Sequence, residues 1–258
     1  MDQVSAAVGQ GLWATFGPRL FAWGRNDYGA LGLGNRTYYS SPKQVGALIT
    51  WSNIAAGAAF NVATQSNGTL WTWGFPNQGQ LGLGNRTYYS SPKQVGALTN
   101  WLNIAAGSSH TLAIKTDGTL WAWGNNLQGQ LGLGFTSYYS SPNQVGALTN
   151  WVQVTGGTNH TIALQSNGTL WTWGHNFYGS LGLGNRTYYS SPKQVGALTN
   201  WSNIACGYYN TVALQTNGTL WGWGRNGNGQ LGLGNITNYS SPKQVGALTT
   251  WLNIACGY

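Results

Sequence analysis

Side chains that could support acid–base or metal chemistry are few and far apart in this sequence. The only side-chain acids are Asp2, Asp27 and Asp117, and there is no glutamate. Catalysis by paired carboxylates requires two acids close together, and a metal site requires ligands at characteristic spacing. Neither pattern is present, and Asp117 stands where other copies of a repeated segment have Asn, which favours a turn. We therefore predict no catalytic residue, no metal site, no cofactor and no enzymatic activity.

The histidines divide into two kinds. His110 and His160 share one position of a 50-residue repeat that holds Phe60 and Asn210 in other copies, so no metal or catalytic role is expected of them. His175 lies in a loop that varies between copies. We interpret it as a candidate surface contact, the alternative being an ordinary solvated loop residue.

Two other patterns are explained by packing. Cys206 and Cys256 share the repeat position of Ala56 and Ala106, so they read as substitutions for a small buried residue. Equivalent strands of neighbouring repeats usually stand farther apart than the Cα separation limit of ~7 Å for a disulfide, so a bond between these cysteines is the less favoured interpretation. The segment GQLGLG superficially resembles a phosphate-binding loop, but leucines fill its alternate positions, no helix or P-loop lysine follows, and it recurs along the chain. We assign it to packing.

Composition limits the partners. Charged residues are 5% of the 258 residues, with a net charge of +8, against a usual share of ~25%. The positive charge favours an anionic or glycan surface as partner, but it is spread as one or two charges per repeat, so no specific nucleic acid is predicted. The N-terminus lacks the basic start and apolar run of a signal peptide, and no membrane span is predicted. Localisation is otherwise open and includes a virion or extracellular surface.

The candidate binding residues lie where the copies of the repeat differ. Four variable residues follow each Trp-x-Trp-Gly, and a second variable link precedes the next strand, as in Tyr208–Asn210. Binding sites concentrate on loops of rigid scaffolds, where aromatics and arginine dominate the energetics, although neutral drift is the alternative. The candidates are Arg25, Tyr28, Phe75, His175, Phe177, Tyr178 and Arg225.

A nearly invariant loop supplies further candidates, with Arg36 in the first copy, Arg86 and Tyr88 in the second, and Tyr188 in the fourth. A series of Tyr and Arg side chains could stack on sugar rings or bind a protein with avidity. Packing of the tyrosines between blades is an equal alternative.

These loops belong to a repeat that predicts an all-β fold. The segment TLWAWGNNLQGQLGLG, ending at Gly134, occurs five times at 50-residue spacing, in repeats 1–50, 51–100, 101–150, 151–200 and 201–250. Alternation places Trp71 and Trp73 on one strand face and Leu70 and Thr72 on the other, so both faces are expected to pack. Asn-Gly and Asp-Gly pairs predict type I′ hairpins, and the Ser-Ser-Pro segment predicts an edge strand. Four short strands in about 50 residues are typical of a β-propeller blade.

The motif GxxHTLAxxxDGTLWxWGxNxxGQLGLG, at Gly107–Gly134, resembles the repeat of the regulator of chromosome condensation family. The resemblance extends from about residue 4 to 258. It implies four-stranded blades, typically seven of them, where this chain has five. It also implies a structural, hydrogen-bonding role for His110 and His160. Guanine nucleotide exchange, known for the eukaryotic founder, is less favoured because its acidic contacts and inserted wedge have no counterpart here.

The two ends leave one strand unassigned. Trp251–Tyr258 repeats the first strand of a blade, and alignment of Val4 with Ile54 predicts that Asp2–Ala7 supplies one as well. The extra strand closes a five-bladed ring, begins an incomplete sixth blade, or pairs with another chain in a homo-oligomer. We favour a closed five-bladed ring that forms a single domain over residues 1–258.

The resulting functional expectation is a non-enzymatic repeat scaffold for protein–protein interaction. Related bacterial and phage repeats make a structural or surface component of a larger assembly, such as a phage virion, a plausible context by analogy of fold. The alternative is a carbohydrate-binding propeller of the lectin or adhesin type.

Overall fold

The computed structural model describes residues 5–8, 18–48 and 50–257, with the backbone alone for residues 5–8. Within these ranges the regular secondary structure consists of β-strands alone. In chain order the strands are β1 (Ser5–Val8), β2 (Leu20–Gly24), β3 (Tyr39–Gln44), β4 (Trp51–Ala56), β5 (Phe60–Gln65), β6 (Leu70–Gly74), β7 (Tyr89–Gln94), β8 (Trp101–Ala106), β9 (His110–Lys115), β10 (Leu120–Gly124), β11 (Tyr139–Gln144), β12 (Trp151–Gly156), β13 (His160–Gln165), β14 (Leu170–Gly174), β15 (Tyr189–Gln194), β16 (Trp201–Cys206), β17 (Asn210–Gln215), β18 (Leu220–Gly224) and β19 (Tyr239–Gln244).

The strands form five antiparallel sheets that follow the repeats. The first sheet has the order β1-β2-β3, and the other four are meanders of four consecutive strands, β4 to β7, β8 to β11, β12 to β15 and β16 to β19. The chain divides into two compact units. Unit 1 runs to Asp117 and adds Trp121–Asn125 and Tyr138–Asn143, and unit 2 comprises Gly118–Leu120, Asn126–Ser137 and the residues from Gln144 onward. The predicted all-β class is confirmed.

The hairpin between the second and third strand of each four-stranded sheet forms as predicted, but its turn is of another type. In the second sheet the Gly68 amide donates to the Gln65 carbonyl and the Gln65 amide donates to the Thr69 carbonyl. These two bonds define a three-residue loop between Gln65 and Thr69. Gly68, with φ +77°, is the last residue of this loop and takes the left-handed conformation that follows the turn. The type I′ prediction, which makes Asn67 and Gly68 the two central residues, is wrong. The Asn67 side chain instead accepts from the Thr69 amide.

Both faces of the central strands are buried, as the alternating pattern predicts. Leu70 and Thr72 on one face of β6 and Trp73 on the other are each at most 1% exposed, and Trp71 is half-buried. Trp51 packs against Trp71 and Trp73, with ring centroids 6.2 and 6.0 Å apart. The same arrangement recurs in the next three sheets. The proline-containing strand is the outermost one, β7 in this sheet, where its missing N–H costs no ladder bond.

Successive repeats are joined through the GQLGLG segment. In unit 2 the Trp173 indole N–H donates to the Gln130 carbonyl at 2.9 Å, and the Thr161 hydroxyl donates to the same oxygen at 2.7 Å. The next junction repeats this pattern, with Trp223 and Thr211 both donating to the Ser180 carbonyl at 2.9 Å. The glycines have a steric role, because a Cβ on Gly182 would lie 2.8 Å from Trp223 Nε1. These contacts confirm that packing explains the glycine-rich motif.

The first sheet differs from the prediction that Asp2–Ala7 forms a first strand. Strand β1 pairs directly with β2, and Ser5 stands opposite Trp23. In the fourth sheet it is Thr161, on the second strand, that stands opposite Trp173. Strand β1 therefore takes the second-strand position, and among the described residues this sheet has three strands. Asp2 and Val4 lie outside the described residues.

Candidate functional site

A buried asparagine fixes the shape of the loop after Trp-x-Trp-Gly. The Asn176 side chain accepts from the Leu181 amide at 3.0 Å and donates to the carbonyls of Asn185 at 3.1 Å and Thr187 at 2.9 Å. One amide group thus joins the variable loop to the Arg-Thr-Tyr loop of the same repeat. As a result, His175 lies beside Tyr188, with ring centroids 4.7 Å apart. Asn26, Asn126 and Asn226 are fully buried at the same position, so this member of the variable loop is structural.

The fourth and fifth repeats together build an aromatic cluster outside the core, which we call the aromatic patch. The Tyr209 ring lies at its centre, 5.0 Å from His175, 5.3 Å from Tyr178 and 4.4 Å from Tyr208. Phe177 packs edge-on against Tyr178 at 4.9 Å, and the Arg225 guanidinium lies 5.6 Å from the Tyr178 ring centroid. The patch consists of His175, Phe177, Tyr178, Tyr188, Tyr208, Tyr209 and Arg225, all in unit 2.

Burial sets the charge of the patch. It lowers the pKa of His175 below the usual 6.5, so the imidazole is neutral at pH 7. Burial also raises the pKa of Tyr209, with Tyr208 and Tyr178 adding to the effect and Arg225 opposing it. The patch is therefore an aromatic surface whose one charged member is the guanidinium of Arg225. Phe177 and Tyr188 are 56% and 42% exposed, which leaves large apolar rings at the surface.

Five of the predicted binding residues come together in this patch: His175, Phe177, Tyr178, Arg225 and Tyr188. Tyr208 and Tyr209 were not among the predicted binding residues, although both lie in the variable link. Their signal was present in the sequence, because two adjacent tyrosines replace the small or polar residues of the other copies, such as Ser108 and Ser109. Only the fold shows that this link meets the loop of the preceding repeat.

Four other candidates form a second cluster, in unit 1. The ring centroids of Tyr28 and Phe75 are 4.7 Å apart, and those of Phe75 and Tyr88 are 5.6 Å apart. Arg36 lies 5.0 Å from the Tyr88 centroid. We call these four residues the Tyr28 cluster. The Arg25 guanidinium pairs with the Asp27 carboxylate, which also accepts from the Tyr38 hydroxyl.

The two tyrosines of each pair differ in burial. Tyr38, Tyr88 and Tyr188, the first of each pair, are exposed. The second is half-buried, and in the fourth repeat the Tyr189 hydroxyl accepts from Asn185. Arg86 contacts the next repeat, 5.4 Å from the Tyr138 centroid.

The remaining reactive side chains are not assembled into a site. His110 and His160 are fully buried, and the His160 Nε2 lies 3.3 Å from the Thr211 hydroxyl. Cys206 and Cys256 are free thiols; burial is the main cause that raises the pKa of both, that of Cys256 to about 11. Among residues 5–8, 18–48 and 50–257 there is no cluster of three metal-ligating side chains. In the same ranges no helix is long and apolar enough to cross a membrane.

Comparison with known families identifies the repeat. The family model described as the RCC1-like domain matches residues 2–258. The chain belongs to the RCC1-like domain family. Its sheets correspond to the blades of a β-propeller, four of them with four strands each in the described residues. From here each sheet is called a blade with the number of its repeat. Comparison with curated protein sequences gave no match.

Solved structures confirm the RCC1-like fold. Human WBSCR16 superposes with a TM-score of 0.82 at 24% identity, over 99% of this chain and 70% of that one. Prp20p from Saccharomyces cerevisiae, described with its binding to Gsp1p and histones, gives 0.81 at 22% identity, over 93% of this chain. The same yeast protein bound by Kap60 gives 0.78 at 21% identity, over 90% of this chain. The chain spans 62% and 58% of those two yeast chains, so it is shorter than the yeast proteins it resembles.

Proposed function

We propose that this RCC1-like chain is a non-enzymatic scaffold that binds another protein through the aromatic patch. The observation that supports the proposal is the patch itself, which collects the most variable loops of two repeats into one aromatic surface with one arginine. Tyrosine and arginine are the residue types that concentrate binding energy at protein interfaces. The rest of each repeat is committed to blade packing, which leaves these loops free to differ.

The chemistry of the patch indicates the kind of partner it would bind. The rings already contact one another, so Tyr178 and Tyr209 lose little conformational freedom when a partner binds. Arg225 lies at the edge of the cluster and presents a fixed planar donor. A partner segment with an apolar or aromatic side chain beside a carboxylate fits this surface. The net charge of +8 also attracts a negatively charged partner over longer distances.

Two of the similar solved structures are described with protein partners, which supports an interaction role. Prp20p is described with its binding to Gsp1p and histones, and the yeast protein is bound by Kap60. A role as a surface component of a larger assembly, such as a virion, is one form of the same proposal, with an assembly protein as the partner.

A photo-crosslinking experiment tests the proposal. A benzophenone amino acid at position 177 should crosslink one dominant protein from extracts of the source cells or particles, identified by mass spectrometry. The purified partner should then bind wild type, and Arg225→Ala combined with Tyr209→Ala should weaken binding by roughly 30-fold or more, as expected for about 2 kcal/mol at a hot spot.

Leu127 provides the matched control, because it occupies the position of Phe177 in the third repeat and is 53% exposed. The same photoreactive group at position 127 should not capture that partner, and Leu127→Ala should leave its affinity unchanged. Equal capture at both positions would contradict binding at the patch. Selective glycan binding that is lost in Tyr88→Ala with Tyr188→Ala, with no protein captured, would favour the carbohydrate alternative.

A further inference from the structure

The variable loop of the first repeat carries an acid that blade packing does not require. Asp27 stands at the repeat position of Asn77, Leu127, Phe177 and Gly227. Blades therefore form with an amide, an apolar side chain or no side chain at this point. The Asp27 side chain is 29% exposed, so its carboxylate is accessible to a small ligand.

Two side chains of the same repeat hold the Asp27 carboxylate in place. The Arg25 guanidinium pairs with Oδ2, and the Tyr38 hydroxyl donates to Oδ1. The loops that carry Arg25 and Tyr38 are joined by Asn26, whose buried side chain donates to the Thr37 carbonyl at 3.1 Å. The carboxylate is therefore fixed before a ligand arrives, which lowers the conformational cost of binding.

The Asp27 carboxylate can accept further hydrogen bonds. An ionised carboxylate has about four lone-pair positions, and Arg25 and Tyr38 each use one, on different oxygens. Because Arg25 already balances the negative charge, a second cation is not needed as a partner. A ligand hydroxyl is the kind of donor that suits the remaining positions.

An exposed aromatic surface begins at the next residue. Tyr28 and Tyr88 are 39% and 38% exposed, and the planes of their rings are 23° apart. The Phe75 ring contacts both, with centroids 4.7 Å from that of Tyr28 and 5.6 Å from that of Tyr88. These contacts restrict the motion of the exposed rings, so they lose little conformational freedom on binding.

Residues 36–38 connect the acid to the aromatic surface. At one end the Tyr38 hydroxyl donates to Asp27, and at the other the Arg36 guanidinium lies 5.0 Å from the Tyr88 ring centroid. A guanidinium is a planar group that offers only hydrogen-bond donors. The site thus combines aromatic faces, a carboxylate acceptor and a guanidinium donor on neighbouring residues of unit 1.

We infer that the Tyr28 cluster and Asp27 form a binding site for an uncharged sugar. A pyranose ring has a face of C–H groups that packs on an aromatic ring, and hydroxyl groups around its edge that donate and accept hydrogen bonds. The C–H face fits Tyr28 and Tyr88, a donating hydroxyl fits Asp27, and an accepting hydroxyl fits Arg36. The charge of Asp27 disfavours an acidic sugar at the same point. This site shares no residue with the aromatic patch and does not depend on the proposed function.

A glycan array followed by calorimetric titration tests the site. The array should carry uncharged, carboxylated and sulfated glycans, and wild type should bind selectively to uncharged ones. The uncharged oligosaccharide that binds best is then titrated into purified protein. Asp27→Asn, which carries the residue of the second repeat, should weaken its binding by about tenfold or more. Tyr28→Ala should weaken it by roughly fivefold, through loss of the stacking face.

Asp117→Asn is the matched control for the loss of one negative charge. Asp117 lies in a hairpin loop where other repeats have Asn67, Asn167 and Asn217, so this substitution should leave the affinity for the oligosaccharide unchanged. The affinity of wild type should also change by less than about twofold between about 50 and 500 mM NaCl, because salt screens only the interactions between charges.

The other outcomes would contradict the inference in distinct ways. Absence of selective binding on the array would overturn the sugar site, and binding retained in both Asp27→Asn and Tyr28→Ala would overturn its location. Binding confined to acidic glycans, lost in Arg36→Ala but kept in Asp27→Asn, would overturn the uncharged ligand class. Tyr209→Ala, in the aromatic patch, should not affect the oligosaccharide, which separates this test from that of the proposed function.

Discussion

Replacing Gly182 with alanine is expected to lower the free energy of unfolding by about 3–8 kcal/mol. Gly182 has φ +71°, and the left-handed region costs a residue with a Cβ ~1–2 kcal/mol. The new Cβ would also lie 2.8 Å from Trp223 Nε1, and overpacking of this kind costs roughly 1–3 kcal/mol. Displacement of the indole from the Ser180 carbonyl leaves a buried donor without its acceptor, which costs ~1–3 kcal/mol.

Gly232→Ala is the matched control for this substitution. Gly232 has φ +66°, and its added Cβ would meet only Val245 Cγ1, at 3.5 Å. The backbone cost is shared by both variants, so Gly232→Ala should lose only ~1–2 kcal/mol. Urea unfolding followed by tryptophan fluorescence measures the difference. Equal losses in the two variants would show that the contact with Trp223 does not determine the stability of the junction.

The regular part of the fold was predictable because its signals are local. The alternation of Leu70, Trp71, Thr72 and Trp73 specifies a strand buried on both faces, and a proline in Tyr89–Gln94 specifies an edge. The hairpins were predictable from Asn-Gly and Asp-Gly, but the turn type was not. Gly68 takes its positive φ as the third loop residue, and the same dipeptide is compatible with either loop length.

The candidate site was predictable in its members but not in its grouping. Tyr188 and Tyr209 are 21 positions apart in the sequence, yet the His175 ring contacts both of them. This contact forms because the Asn176 side chain joins the loop of His175 to the carbonyls of residues 185 and 187. Comparison of the repeats marked the variable loops, but it could not show which loops of adjacent repeats meet. The register of β1 was missed for a related reason, since the short segment Ser5–Val8 matches more than one strand of the repeat and only its pairing with β2 decides.

His110→Phe is expected to remove a large part of the loss of stability at acid pH. Burial lowers the pKa of His110 from the usual 6.5 to about 3, so the unfolded chain binds a proton below pH 6.5 that the folded chain does not bind until about pH 3. Stability is therefore complete above pH 6.5 and falls as the pH decreases toward 3, by up to ~1.4 kcal/mol per pH unit for this one group.

The second blade shows that phenylalanine fits this position. Phe60 is 1% exposed at the equivalent site, and it packs over Gly57 as His160 packs over Gly157. In His110→Phe, the difference in unfolding free energy between pH 7 and pH 4.5 should therefore be smaller than in wild type by about 2–3 kcal/mol. Urea unfolding at several pH values measures this difference directly.

His175→Asn serves as the comparison, because Asn125 occupies that position in the third repeat. Burial also lowers the pKa of His175, so the substitution should reduce the acid sensitivity in the same direction. Its effect should be smaller, since His175 is half-buried while His110 is fully buried and retained hydration reduces the cost of the charged form. An unchanged pH profile in His110→Phe would mean that the blade admits water to the protonated imidazole, and the assignment of acid sensitivity to this buried histidine would be wrong.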